Sequence, residues 1–291
     1  VNGGALSQLR DYGALIKLSH SVFALPFALL SLLVATSGRP GLRLLLLVVA
    51  AVVAARTAAM AYNRWADRDL DAANPRTAGR EIPRGAIPAR AALLLAAGAG
   101  LVFLIVAWLL GPVCFLFAVP VLGWLLLYSH MKRCTSTCHL WLGIALGLSP
   151  VAAWVAADGA WSLRLLAPIA LGLAVSCWVA GFDVLYACQD EAFDRAHGLR
   201  SLPAALGAPR AMRVAQGLHV LAVLLFVAFG WLARLGVFYH VGTVVAAVLL
   251  CWQHRLLRPH DLLRIHTAFF TANGLLSFVM LAAGAADLYL R

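Results

Sequence analysis

The sequence predicts an all-α protein that crosses a membrane nine times, and three observations carry that reading. Of its 291 residues, 63% are hydrophobic and only 12% charged, with a mean hydropathy of +0.88, well outside the range of a water-soluble domain. The apolar residues fall in runs of about 17 to 25, the length a helix needs to cross a hydrocarbon core of roughly 30 Å. The polar breaks between runs alternate in basic content. Arg10, Lys17, six residues from Arg64 to Arg90, Lys132, Arg133, four from Arg195 to Arg213 and three from Arg255 to Arg264 make 17 on one side. The other side holds Arg39, Arg43, Arg164, Arg234 and Arg291, and Arg56 is left inside a span. Excess Lys and Arg marks the cytoplasmic face, which puts the amino terminus inside and the carboxyl terminus outside. A net charge of +11 raises nucleic acid as a partner, but basic residues gathered at one membrane boundary argue against it; the lipid bilayer is the partner they suit.

Span one covers about 18–35, after an amphipathic lead-in over 6–17 that is expected to lie along the membrane surface. It is long, carries Pro26 and leads straight into further spans, so a cleaved signal peptide is not expected. Span two covers about 44–62. The loop from Asp71 to Pro88 that follows holds three prolines, two glycines, Arg76, Arg80 and Arg84. It is too polar for lipid and long for a bare connection, which points to function. Spans three and four, about 90–110 and 113–127, are joined by Gly111-Pro112, a tight turn, and span four leads into Tyr128, Lys132 and Arg133. Spans five to nine cover about 140–156, 165–185, 212–232, 237–252 and 267–288. His219, His240, His254 and His266 lie near span ends or on inner faces and read as packing groups. The six cysteines read as small apolar residues; Cys134, Cys138 and His139 lack a second ligand pair at zinc spacing.

Two polar clusters break the pattern. After span two, Asn63, Asp67 and Asp71 recur at i, i+4 and i+8, which on a helix stacks three oxygen-bearing side chains on one face, roughly 6 Å apart. Asn74, Arg76, Thr77 and Arg80 follow at once. After span six, Asp183, Tyr186, Asp190 and Asp194 repeat the spacing, followed by Arg195, His197, Arg200 and Ser201. Of twelve acidic residues, eight lie in these two segments once Glu81, directly after Arg80, is included. Carboxylates crowded at a membrane boundary repel one another and demand cations. Two such ladders, four spans apart on one side, read as an internal duplication, with pseudo-repeats at about 18–130 and 140–258 and a ninth helix at about 267–288, in a single transmembrane domain.

Oxygen ligands beside arginines suit a diphosphate bound through Mg²⁺, whose oxygens the metals and guanidiniums share. A lipid diphosphate fits best, because its tail can lie among apolar helices. Metals and guanidiniums stabilise charge developing on a leaving diphosphate, so an allylic C–O bond can ionise and an electron-rich partner can intercept the cation away from water. A transporter or lipid-binding protein with a two-fold arrangement is the rival class, disfavoured because the charged groups sit at one boundary rather than at mid-membrane.

Asn63-Arg64-x₂-Asp67-x₃-Asp71-x₂-Asn74-x-Arg76-Thr77-x₂-Arg80 resembles the first signature of the UbiA superfamily of intramembrane prenyltransferases, in the form typical of 4-hydroxybenzoate polyprenyltransferases. Asp183-x₂-Tyr186-x₃-Asp190-x₃-Asp194 is similar to the second signature, Tyr128-x₃-Lys132-Arg133 to the basic segment after span four, and the stretch from Lys17 through His20 to Pro26 to the first span of quinone-pathway members. The resemblance implies a bundle around a central cavity and a polyprenyl diphosphate donor. It implies an aromatic acid acceptor such as 4-hydroxybenzoate, or a carboxylated naphthol, in ubiquinone or menaquinone biosynthesis. It further implies that Asn63, Asp67, Asp71, Asp190 and Asp194 hold Mg²⁺ and diphosphate, with Asp183 close by. Lys17, Arg64, Arg76, Arg80, Lys132 and Arg133 would bind substrate anions, and Tyr128 and Tyr186 would line the site near the reacting carbon. Asp69 is an acid outside the pattern, expected to point off the ladder face and pair with Arg68 or Arg64.

Overall fold

A computed structural model of the chain describes residues 4–17, 23–158, 163–257, 265 and 267–290. His20, His266, Arg258, Arg264 and the first residues of the expected first span lie outside the described residues. All regular secondary structure among the described residues is helical, with no strand among them. In chain order the helices are α1 Ala5–Leu15, α2 Leu25–Ala35, α3 Leu42–Ala66, α4 Arg68–Ala73, α5 Ala89–Leu110, α6 Pro112–Cys134, α7 Cys138–Asp158, α8 Leu166–Ala187, α9 Glu191–Ala196, α10 Leu202–Leu206, α11 Ala208–Leu232, α12 Val237–Leu256 and α13 Asn273–Tyr289. Eight are long and apolar enough to cross a membrane: α3, α5, α6, α7, α8 with its continuation through α9, α11, α12, and α13 with the end of the π-helical turn Thr267–Ala272 ahead of it. The protein is therefore a multi-pass membrane protein. The first expected span appears as α2, whose 11 described residues cover about 16 Å. Several spans run further than hydropathy suggests: α3 to Ala66, α6 to Cys134, and α11 from Ala208. Polar residues at a membrane boundary stay helical because the helix satisfies their backbone groups.

The chain divides into two compact units, one of Val1–Ser21 and Val49–His130, the other of Val22–Val48 and Met131–Arg291. In the first, Leu15 of α1 is wholly buried and packs with Ala61 of α3 and Ile87, Ala92 and Ala96 at and in α5. The Arg84 guanidinium reaches Asp11 of α1 at 2.5 Å. Helix α5 turns small residues inward (Ala92, Ala96, Gly100) and Leu94, Leu101 and Trp108 outward. That is the inverse of a soluble helix: lipid is as apolar as leucine, and close approach of backbones drives packing instead. Tyr62 of α3 and His130 of α6 share a hydrogen bond at 3.0 Å.

The second unit is built on α8, whose Leu171, Val175 and Trp178 are fully buried among Phe27, Phe226, Phe229, Tyr239, Leu276 and Met280. The Trp178 indole donates to Asn273 Oδ1 at 2.9 Å. Helices α7 and α8 approach so closely that a Cβ on Gly147 would lie 2.3 Å from the Gly172 carbonyl oxygen, and one on Gly143 2.3 Å from that of Ser176. Pro150 interrupts α7 and leaves the Leu146 carbonyl without its usual N–H. The Ser149 hydroxyl donates to that carbonyl at 2.8 Å, while Ser31 of α2 donates to the Pro150 carbonyl at 2.6 Å. Asp287 of α13 accepts from the backbone N–H groups of Gly236 and Phe238, supplying partners for open donors at the start of α12.

Candidate functional site

The first acidic ladder straddles a helix break. Asp67 leaves the helical region at φ −98°, ψ 6° and heads α4, in the sparsely populated bridge region that active-site residues often occupy. The backbone ladder carries on across it, with Asp67 N–H donating to the Asn63 carbonyl at 2.9 Å and Asp71 N–H to the Asp67 carbonyl at 2.7 Å. The Asn63 amide donates to Asp67 Oδ2 at 2.9 Å, which leaves the Asn63 carbonyl oxygen as an acceptor. Asp71 is 6% exposed. Arg80 donates to its Oδ1 at 2.6 Å, and its Oδ2 is buried without a hydrogen-bond partner. The loop returns through turns: Asn74 Oδ1 accepts from Arg76 N–H at 3.0 Å, and the Thr77 hydroxyl donates to the Asp71 carbonyl at 3.1 Å. Asp69 faces outward, pairing with Arg68 at 3.5 Å, as the periodicity predicts.

Around Asp71 the charge balance is positive. Lys17, Arg64, Arg76 and Arg80 lie within one another's fields, with Glu81 as the opposing anion that Lys17 feels. Arg64 is 3% exposed and its Nε is buried without a hydrogen-bond partner. Lys17 ends α1 in a left-handed conformation, φ +46°, which costs energy for a residue with a Cβ. Its ammonium is pushed down to about 8, first by lost hydration and then by Arg64, Arg80 and Arg76. Because the folded value lies below the ordinary 10.5, the charged lysine costs stability fully below about pH 8, and that cost fades as pH climbs toward 10.5. Four converging cations call for an anion. If Lys17 serves that anion, kcat/KM for an anionic substrate falls as pH rises through about 8, and Lys17→Arg, charged throughout, removes the fall; a pH series on both proteins checks this.

The second ladder repeats the local design. Helix α8 ends at Ala187, a 3₁₀ turn spans Cys188–Asp190, and Asp190 takes φ −101°, ψ 6° to head the six-residue α9. Four residues on, Asp194 is wholly buried. The Lys132 ammonium lies 2.8 Å from its Oδ1 as a charge pair, and the Ser201 hydroxyl donates to its Oδ2 at 2.8 Å. Each ladder thus has one acid at a bent backbone position and a second, four residues later, buried against a cation. Lys132 is further located by its carbonyl, which accepts from Arg200 N–H at 2.7 Å. Glu191, in the same turn, instead binds Arg195 at 3.0 Å and the Ala208 N–H at 2.9 Å, holding α9 to α11.

Asp183 stands apart from the other acids of its ladder. Its Oδ2 lies 2.7 Å from His139 Nδ1. Leu202 N–H donates to His139 Nε2 at 3.3 Å, so Nε2 is the acceptor and Nδ1 carries the proton toward Asp183. Tyr186, half-buried, packs against the core of the second unit. Tyr128 lies near Arg56 and Arg64 in the first unit, and Arg133 is half-buried at the end of α6. Sequence reasoning gave no site role to Arg56, His139 or Ser201, and assigned Arg80 and Lys132 to substrate anions without seeing that they pair with Asp71 and Asp194. Arg56, two turns before Asn63 in α3, keeps its Nε buried without a hydrogen-bond partner; an arginine inside a span was itself the available signal. His219 bonds to His254 at 2.8 Å and to the Trp178 carbonyl at 3.2 Å, a packing role.

Among the described residues no three His, Cys, Asp or Glu side chains converge tightly enough to hold a metal by themselves. Each ladder offers two acids, which suits Mg²⁺: that ion takes one or two carboxylates and completes its shell with waters and phosphate oxygens. The buried, unpartnered Oδ2 of Asp71 fits such an ion.

The UbiA prenyltransferase family profile matches residues 24–275. The 4-hydroxybenzoate octaprenyltransferase of Cronobacter sakazakii is 33% identical over 94% of this chain and 91% of its own; that of Shewanella sediminis is 30% identical over 87% and 88%. A UbiA homolog from Aeropyrum pernix K1, solved in the apo state, superposes with a TM-score of 0.83 at 37% identity, covering 91% of this chain and 96% of that one. A homolog from Archaeoglobus fulgidus, solved with DMAPP and Mg²⁺, shares the fold with a TM-score of 0.68 at 19% identity, covering 97% of this chain and 100% of that one.

Proposed function

The chain belongs to the UbiA prenyltransferase family, and on that premise we propose that it moves a polyprenyl group from a polyprenyl diphosphate to an aromatic acid such as 4-hydroxybenzoate, releasing diphosphate. The observation that carries the reading is the repeated acid geometry: Asp67 and Asp190 share a bent backbone, and each is followed by a buried acid held by a cation. In this reading the chemistry lies at the boundary rich in Lys and Arg, on the cytoplasmic face of an inner (plasma) membrane.

In this mechanism Lys17, Arg64, Arg76 and Arg80 receive the diphosphate oxygens, with Lys132 and Arg133 as further cations. As the allylic C–O bond lengthens, negative charge grows on those oxygens, and cations already fixed in place stabilise it without reorganising. Mg²⁺ held by Asp67, Asp71, Asp190 and Asp194, with the Asn63 carbonyl, supplies Lewis-acid neutralisation of the leaving group when bound. Arg80 keeps Asp71 oriented, and Ser201 with Lys132 does the same for Asp194. The aromatic faces of Tyr128 and Tyr186 border the allylic cation, and the surrounding apolar helices exclude water that would capture it. The ring carbon ortho to the hydroxyl forms the new C–C bond and loses its proton. Asp183, anchored by His139, keeps a second oxygen for the substrate side.

Arg56 receives the carboxylate of the acceptor in this reading, since a guanidinium inside a span is costly unless it meets an anion. Arg56→Gln then raises KM for the aromatic acid about tenfold or more, as expected for loss of a charge-assisted pair, and leaves KM for the prenyl diphosphate unchanged. Steady-state kinetics with each substrate varied separately separates these. The decisive test of the function is incubation of membranes with labelled polyprenyl diphosphate, Mg²⁺ and 4-hydroxybenzoate, followed by chromatography for a prenylated acid. Absence of product with that acid and with carboxylated naphthols overturns the proposal.

A further inference from the structure

Helices α11 and α12 are pinned together at two levels. Toward their connecting turn the Tyr239 hydroxyl donates to the Phe226 carbonyl at 3.0 Å, and toward their other ends the His219 and His254 rings meet at 2.8 Å. Beside these pins runs a groove of about 760 Å³. Val223 and Val227 of α11 form one wall, and α12 lines the other with His240, Val244, Val248 and Arg255. Those α12 positions share one helix face, so the groove follows the helix for about 22 Å, most of a hydrocarbon core of roughly 30 Å. Its wall is apolar between its ends. Thr243 also lines it, but its hydroxyl is spent on the Tyr239 carbonyl at 3.1 Å.

Among the described residues that line the groove, Arg255 is the one lysine or arginine, it lies at one end, and no aspartate or glutamate lines the groove with it. Arg210 and Arg213, both exposed, lie in the first turns of α11 at that same boundary. We propose that this groove binds a phospholipid of net charge minus one, with an acyl chain along α12 and its phosphodiester on Arg255. A single guanidinium matches a single phosphodiester charge. A diphosphate is held by several cations or a metal, where the described lining offers one guanidinium. The neighbouring arginines repel a head group that carries an ammonium, so a phosphatidylglycerol type is selected over a phosphatidylcholine type.

Cys251 is exposed and lines the groove, which makes it a reporter. The test places the full chain in nanodiscs of phosphatidylcholine alone, or of an equimolar mixture with phosphatidylglycerol. Alkylation of Cys251 by a membrane-permeant maleimide is then followed by peptide mass spectrometry, with exposed Cys134 of α6 as the internal reference. Phosphatidylglycerol is expected to slow alkylation of Cys251 about fivefold, the effect of one basic residue at a charged lipid boundary, and to leave Cys134 unchanged. Arg255→Gln restores the phosphatidylcholine rate. Ala247→Phe, which fills the groove, makes alkylation independent of lipid composition. Equal rates in the two compositions, or protection that survives Arg255→Gln or Ala247→Phe, overturn the proposal. So does equal protection when a polyprenyl diphosphate is added to discs of phosphatidylcholine alone, which identifies the occupant as the donor substrate.

Discussion

Prenyl transfer by Asp67→Ala falls about a thousandfold or more. A metal ligand at a developing phosphate charge is worth several kcal/mol, and each 1.4 kcal/mol is roughly tenfold in rate. Asp67 is half-buried and accepts from the Asn63 amide, so its removal opens no large cavity and the protein stays folded. Asp69→Ala is the matched control: two residues away, its side chain is 86% exposed and pairs only weakly with Arg68, and turnover is unchanged. Asp190, with the same backbone conformation in the second ladder, gives the same loss as Asp67. The measurement is single-turnover transfer at saturating and at limiting Mg²⁺. Wild-type rates for Asp67→Ala at limiting Mg²⁺ remove it from the metal-holding set.

Gly147→Ala strikes the fold rather than the chemistry, and a single methyl is enough. Its Cβ would sit 2.3 Å from the Gly172 carbonyl oxygen and 2.1 Å from Ser176 Oγ. The serine can rotate away; the backbone carbonyl cannot, so α7 and α8 must separate along their length. Overpacking of this kind costs about 1–3 kcal/mol, and the cost falls on the element that carries Asp183 and leads to Asp190. Gly98→Ala and Gly217→Ala meet nothing within 4 Å and gain slightly from better helix propensity. Thermal unfolding of the detergent-solubilised variants distinguishes them: a lowered midpoint for Gly147→Ala alone is expected, and equal midpoints for all three refute the close-packing account.

How much of this was legible beforehand depends on what a one-dimensional pattern contains. The spans were legible because burial in lipid is written as run length, and the ladders because a helix places residues four apart on one face. The outward orientation of Asp69 followed from the same period. The breaks at Asp67 and Asp190 were not legible, because no glycine or proline marks them. The partners of the buried acids were equally hidden. Lys132 precedes Asp194 by a whole helical hairpin, and His139 meets Asp183 across the glycine-lined crossing of α7 and α8. Which side chain meets which is decided by crossing angles, and those depend on where small residues let two backbones touch.

Helices α4 and α9 have six residues each, too few to persist unaided. What keeps each one wound is lateral: a guanidinium or ammonium on its buried acid, and a hydroxyl bracing the turn. The long membrane rods therefore act as a chassis, while these two short pieces are separately adjustable mounts. Exchanging Thr77 or Ser201, both buried, would shift an acid by tenths of an ångström and leave the rods untouched. Such mounts let a lineage tune its grip on a new substrate without rebuilding the part that sits in the membrane.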